Sequence, residues 1–295
     1  MKKFYFENTE PSALTKKIIK LLTKSAVTLA PRSVLKLAYH LLANPHSRRE
    51  VKFDKIAPTE RYKVKTTIGD VQLYHFSGGD KHILLTHGWA DTSRSFRVII
   101  QRLQLAGYSV WCFDHIGHGE SDGKVSHLFG YIDGLKNVIK FIKGQGFDLF
   151  SIMSHSMGGA ALLNLDHEYL NARKIIVLAT PVLFFESMFA RMDRVGISKR
   201  IFAELLADVS ATFDQKWNEL RPCNHKFKID KNFLFIHDKE DPHCSYANLT
   251  LLLDGTEAKL LTTQGLGHRK ILYDTDVYKE VLTFLKKKTY GDIRT

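Results

Sequence analysis

The sequence predicts an α/β fold built on a mainly parallel sheet, and three observations carry that prediction. Short β-rich runs with few polar residues recur along the chain, and a helix-length amphipathic pattern separates each from the next. One apolar run, Phe150-Ser151-Ile152-Met153, stops abruptly at Ser154-His155-Ser156-Met157-Gly158-Gly159 and is followed by the small-residue helix pattern Ala160-Ala161-Leu162-Leu163. The only alternating hairpin pattern, Tyr62–Ile68 and Val71–Phe76 about the turn Gly69-Asp70, comes before the first of the buried runs.

At 295 residues, with 44% hydrophobic residues and 19 Phe, the chain can bury a substantial core. Residues 12–44 read as amphipathic helices: Leu14, Ile18, Leu21 and Leu22, then Val34, Leu35, Ala38, Leu41 and Leu42, recur at helical spacing with lysines between them. Pro31 separates the two patterns and suits a helix first turn. Residues 1–50 are therefore taken as an N-terminal helical extension. It reads either as an arm packed on the main domain or as a basic surface making peripheral contact with a membrane of anionic lipid. Beyond the hairpin, strands are expected at His82–Thr86, Ser109–Phe113, Phe147–Met153, Lys174–Ala179, Asn232–Ile236 and Ala258–Leu261. Helices are expected over roughly 93–106, 130–144, 157–169, 243–253 and 276–288. The alternation fails over 181–221, where Phe184, Phe185, Met188, Met192 and Phe202 fall at helical spacing with no strand between them. That insertion is expected to form a helical lid whose adaptable Met and Phe side chains line a substrate pocket, splitting a core of residues 51–180 and 222–295.

Composition narrows the partners. The net charge is +12, but no recognition helix, zinc finger or aromatic-interleaved basic motif accompanies it, so nucleic acid is not the expected partner. Cys112, Cys223 and Cys244 share no metal-ligand spacing and read as reduced thiols, pointing to a cytoplasmic setting. There is no uninterrupted apolar run of ~18 residues, so a transmembrane span is not expected, and Glu7-Asn8-Thr9-Glu10 interrupts a secretory-signal pattern.

The chemistry centres on Ser156. A sharp strand-to-helix turn lifts its hydroxyl clear of the backbone at a helix N-terminus, where amides face incoming negative charge. A serine hydroxyl needs a base, oriented in turn by a third group. Two loops after later strands supply candidates. His237-Asp238-Lys239-Glu240-Asp241-Pro242-His243 offers the acids Asp238, Glu240 and Asp241. Thr262-Thr263-Gln264-Gly265-Leu266-Gly267-His268 ends in an imidazole, with His237 and His243 as rivals. For an oxyanion, the backbone N–H of Met157 stands at the helix start, and His87-Gly88-Trp89 brings the Trp89 N–H close.

These motifs resemble those of the α/β-hydrolase superfamily over about residues 60 to 290. The resemblance rests on His87-Gly88-Trp89, on the Asp-x-x-Gly-His-Gly-x-Ser loop at Asp114–Ser121, on Ser154–Gly159, on Asp241 and on Gly267-His268. It implies an eight-stranded, mostly parallel sheet with helices on both faces, a lid after the sixth strand and no cofactor. It also implies Ser156 as nucleophile, Asp241 as acid and His268 as base. The glycine-bearing loop accounts for the His115 and His118 spacing without a metal. One position departs from the pattern: the usual glycine two before the nucleophile is Ser154. The implied reaction is cleavage of an acyl ester, carboxylesterase- or lipase-like, through an acyl-enzyme, on an apolar small to medium substrate. Thioester, lactone and carbon–carbon bond hydrolysis use the same residues, and a non-enzymatic binding role on the same fold is the alternative of another class.

Overall fold

The computed structural model describes residues 11–48, 50–170 and 174–287. Residues 1–10, Arg49 and Lys288, the last residue of the expected C-terminal helix, lie outside them. The described residues divide into two compact units: one formed by the N-terminal helices with Leu183–Glu219, the other by Asn44–Val182 with the chain from Leu220 onward.

In the smaller unit, α1 (Ala13–Leu29) starts where the Ser12 hydroxyl accepts the Thr15 amide, and Pro31 opens α2 (Pro31–Ala43). The insertion supplies two helices, Phe184–Val195 and Lys199–Phe213, numbered α6 and α7 in chain order. The first ends on Gly196 at φ 82°, against which the backbone of Lys16 in α1 packs so closely that a Cβ would meet its carbonyl at 2.5 Å. Val27, Ile201 and Leu205 are buried together, joined by Val34, Leu35, Ala38 and Tyr39. Within this unit the N-terminal helices pack on the insertion. The two stretches each carry half of one apolar core, a pairing that spacing along the chain could not reveal.

The larger unit holds an eight-stranded sheet: β1 (Glu60–Thr66), β2 (Gly69–Phe76), β3 (Lys81–Thr86), β4 (Tyr108–Asp114), β5 (Leu149–His155), β6 (Lys174–Leu178), β7 (Phe233–Asp238) and β8 (Lys259–Thr263). Their spatial order is β1-β2-β4-β3-β5-β6-β7-β8. Only the β2 pairings, with β1 and β4, are antiparallel; β3 to β8 are parallel. The insertion therefore follows the sixth strand. Alternate side chains enter opposite faces, so Ile83 and Leu85 join a cluster with Phe96, Ile100 and Phe284 while Leu84 is buried on the other side. The remaining helices of this unit are α3 (Arg97–Leu105), α4 (Leu128–Gly144), α5 (Met157–Leu163), α8 (Tyr246–Leu253), the single turn α9 (Gly267–Lys270) and α10 (Thr275–Lys286).

Several boundaries move for local reasons. Expected to begin at 130, α4 begins at Leu128, because the His127 ring accepts the Gly130 amide at 3.0 Å as an N-cap. Helix α8 begins at Tyr246 rather than near 243, since the Asp241 carboxylate holds the His243 and Cys244 amides in a turn. Strand β5 runs past Met153 through Ser154 and His155, which pair with Val177 and Leu178 of β6.

Candidate active site

Ser156 follows β5 directly and precedes α5, at φ 53° and ψ −122°. A non-glycine residue there is strained, and the strain persists because the surroundings fix it. The Ser156 amide donates to the Leu178 carbonyl at 2.9 Å, and its own carbonyl accepts from the Gly159 amide at 2.8 Å and the Thr180 hydroxyl. The glycines after it are dictated by close approach. A Cβ on Gly158 would lie 2.6 Å from the Thr86 carbonyl oxygen, and one on Gly159 would lie 2.6 Å from the Thr180 hydroxyl. Ser154, where a glycine was expected, is fully buried and donates to the Ile176 carbonyl at 3.2 Å. The neighbouring strand absorbs the extra hydroxymethyl group, which explains why the substitution fits.

Among the candidate bases and acids, the structure brings two to the serine. His268 Nε2 lies 3.0 Å from Ser156 Oγ, and its Nδ1 donates to Asp241 Oδ2 at 2.8 Å. The Asp241 side chain is fully buried, and its Oδ1 accepts the His243 and Cys244 amides at 2.8 and 3.0 Å. Burial works to raise the carboxyl pKa, but the His268 bond and the two amides outweigh it and hold the group below the ordinary aspartate range. The rivals have other work. Asp238 accepts from the Thr263 hydroxyl at 2.7 Å and from the Leu266 and Glu240 amides, tying the acid loop to the His268 loop. His237 donates to the Cys244 carbonyl at 2.9 Å. His243 stands edge-on to the His268 ring. Cys244 lies with Asp241 and His268 inside 4.8 Å, a possible ligand set by distance, yet two of those three donors are already bonded to each other.

The loop after β3 approaches the serine from the other side. A Cβ on Gly88 would stand 2.6 Å from Ser156 Cβ and 3.2 Å from its Oγ, so only glycine admits that backbone. Trp89 follows directly. The loop is held from beneath by buried histidines. His87 Nδ1 donates to the Gly88 carbonyl at 2.8 Å, its Nε2 accepts the His115 amide, and His118 Nε2 accepts the Ala90 amide at 3.2 Å. Burial pushes the pKa values of His87, His115 and His118 down, which keeps them neutral and leaves His87 and His118 free to accept those amides. Of the two histidines spaced like a metal pair, His118 thus supports the loop, and the His115 ring meets the Thr86 hydroxyl at 2.8 Å. His155, which the sequence leaves facing sheet packing or a loop, reaches the His268 loop. Its Nε2 donates to the backbone carbonyl of His268 at 2.9 Å, and burial with the neighbouring His268 lowers its pKa to about 3. Phe184, Phe185, Met188 and Met192 all lie on α6 of the smaller unit, with Phe185 and Met192 buried.

This geometry can pass a proton from a serine hydroxyl to an imidazole while a buried carboxylate fixes the ring's orientation. A nucleophile on a strand-to-helix turn, with base and acid carried by two later strands of one parallel sheet, is the arrangement of the α/β-hydrolases, and this chain is one. Its family is narrower: residues 79–248, more than half of the chain, match the family described as serine aminopeptidase, S33, and the chain belongs to it. Among curated relatives, it is 29% identical over 105 residues to a monoacylglycerol lipase of Mycolicibacterium smegmatis, covering 34% of this chain and 38% of that protein. It is 30% identical over 97 residues to a carboxylesterase of Bacillus subtilis, covering 32% and 39% respectively. The chain thus spans under two-fifths of the length of these relatives. The esterase Pf2001 of Pyrococcus furiosus superposes with a TM-score of 0.61 at 18% identity, over 83% of this chain and 96% of that one, a likeness of fold.

Proposed function

We propose that the protein is a serine esterase that cleaves an acyl ester through an acyl-enzyme. The observation that carries this reading is the continuous relay from Ser156 Oγ through His268 to Asp241, at 3.0 and 2.8 Å. His268 removes the serine proton as Oγ attacks the acyl carbon, and returns it to the leaving alcohol. Asp241 holds the ring and stabilises the imidazolium. The Met157 and Trp89 backbone N–H groups receive the oxyanion, a contribution of about 10²–10³-fold in rate for one donor. Water activated by the same imidazole then releases the acid. The lipase and carboxylesterase relatives support an ester over an amide bond, despite the aminopeptidase name of the family.

Phe184, Phe185, Met188 and Met192 of α6 form the apolar lining of a lid in this reading, which favours an apolar acyl or alcohol group of small to medium size. Residues 12–44 make peripheral contact with a membrane. The cytoplasm, or the inner face of its membrane, is the setting, in keeping with three free cysteines; no helix among the described residues is long and apolar enough to cross a membrane.

A fluorophosphonate probe tests the nucleophile: labelling of the wild type and none of Ser156→Ala is expected, and labelling that survives the substitution overturns the assignment. A p-nitrophenyl ester series then tests the lid, since equal rates for acetate and longer chains would remove the apolar lining from the proposal.

A further inference from the structure

Helix α1 has two apolar faces, and the smaller unit covers only one. Ile19, Thr23 and Val27 turn inward, where Val27 is fully buried and the Thr23 hydroxyl accepts the Ser198 amide at 3.0 Å. At 100° per residue, Leu14, Ile18, Leu21, Leu22 and Leu29 form a second stripe on the opposite side, and all five are exposed. Leu37 and Leu41 of α2 are exposed as well. Seven of the ten large exposed hydrophobic residues among those described therefore lie on these two helices. A surface helix of a water-soluble domain ordinarily presents a polar outer face, so this concentration calls for an occupant.

Charge identifies it. From residue 11 to residue 49 the chain has no Asp or Glu. Lys17 and Lys24 run beside the leucine stripe of α1 at helical spacing, Lys20 between them pairs with Asp193 of α6 at 3.7 Å, and Arg32 and Lys36 extend the cationic surface along α2. A second copy presenting the same face would set like charge against like charge. An anionic bilayer matches both features, because acyl chains accept the leucines while lysine heads reach the phosphates.

We infer that the outward faces of α1 and α2 are a docking surface for anionic phospholipid, with Leu14, Leu21 and Leu22 inserted and Lys17 and Lys24 at the headgroups. This deepens the membrane contact proposed above and rests on it. The same compact unit carries α6 and α7, so a bilayer that holds α1 and α2 holds the insertion with them. The substrate class that follows is an ester resident in a membrane.

The test is co-sedimentation of the full chain with phosphatidylcholine vesicles, with and without phosphatidylglycerol. The wild type is expected to partition roughly tenfold or more strongly into the anionic vesicles, with the difference shrinking as salt rises. Leu21→Glu with Leu22→Glu loses binding by roughly tenfold or more, because both are exposed and meant for the acyl region. Lys17→Glu with Lys24→Glu loses the preference for anionic lipid. Fluorophosphonate labelling of each variant at the wild-type rate shows that the fold and Ser156 are intact. Unchanged binding by the leucine variant overturns this surface and leaves a membrane contact elsewhere. No binding by the wild type to either vesicle overturns both readings. A lipid-free dimer that the leucine variant dissolves assigns the stripe to a second copy and overturns the bilayer. Loss of probe labelling in the wild type strikes only the esterase reading.

Discussion

The two units of this molecule treat their surfaces in opposite ways. In the sheet unit, apolar side chains from both faces are covered, and the Gly88 carbonyl and Ala90 amide of the Gly88-Trp89 loop are met by buried histidines. The helical unit has a core centred on Val27, Ile201 and Leu205, yet leaves a row of leucines in water. The contrast separates a part whose apolar groups are covered from a part that leaves a row of leucines exposed. Substitutions in the first should change catalysis or stability, whereas outward substitutions in the second should change where the protein resides.

The largest effect is expected at the relay. Ser156→Ala and His268→Ala should each lower kcat by about 10⁴–10⁶-fold on a p-nitrophenyl ester, and Asp241→Asn by about 10⁴-fold, with melting temperatures near that of the wild type. Leu21→Glu should leave that soluble-substrate rate unchanged; a fall of comparable size would erase the contrast between the units. Next comes close packing in the sheet unit. Gly158→Ala drives a Cβ onto the Thr86 and His87 carbonyls, at 2.6 and 2.8 Å, and should cost about 1–3 kcal/mol or more by chemical denaturation. Val27→Ala in the helical unit should cost about 1–2 kcal/mol, the worth of two buried methylene equivalents.

Acid sharpens the comparison further. Burial lowers the pKa of His127 to about 4 and, with His268, that of His155 to about 3. For these groups the unfolded chain binds more protons below the ordinary histidine pKa of about 6.5, so stability falls as pH drops from there toward the folded value. At pH 5 each contributes up to about 2 kcal/mol of destabilisation, and both lie in the sheet unit. His127→Asn keeps a good N-cap acceptor for α4 and removes one of these titrations. It should flatten the fall in unfolding free energy between pH 7 and pH 5 by about that amount; an unchanged slope would assign acid sensitivity elsewhere. Asp241 acts in a lower window, since its carboxyl is held below 3.8 and its stabilisation disappears only as pH falls through that depressed value. The smallest effect belongs to an exposed pair, Arg200 with Glu204 on α7, where Glu204→Gln should change stability by under about 0.5 kcal/mol.

What the sequence made legible follows from how local each signal was. The sheet could be read because every parallel strand announces itself with its own apolar run. Ser156, Asp241 and His268 could be placed because each occupies a short loop directly after such a run. Partnerships between distant segments were opaque. Nothing local shows that His155 would reach the carbonyl of His268, or that His118 would hold the Ala90 amide. The pairing of α1 and α2 with α7 was hidden because a helix with two apolar faces gives a pattern that fits either as the inner one. Ser154 seemed an irregularity until the Ile176 carbonyl supplied its partner.

Asp238 has a consequence for how the site comes apart. By accepting from Thr263 and Leu266 it stitches the root of the Asp241 loop to the root of the His268 loop, and β7 and β8 carry both as neighbours. Ser156 rides on β5, with β6 between, and the His155 bond to the His268 carbonyl bridges the gap. The Asp241 carboxylate and the His268 imidazole therefore sit on loops laced to one another, while the Ser156 hydroxyl meets them through the His268 ring and the His155 bond. Removing the Asp238 tie should therefore displace both loops together while Ser156 stays held by β5 and the Leu178 carbonyl.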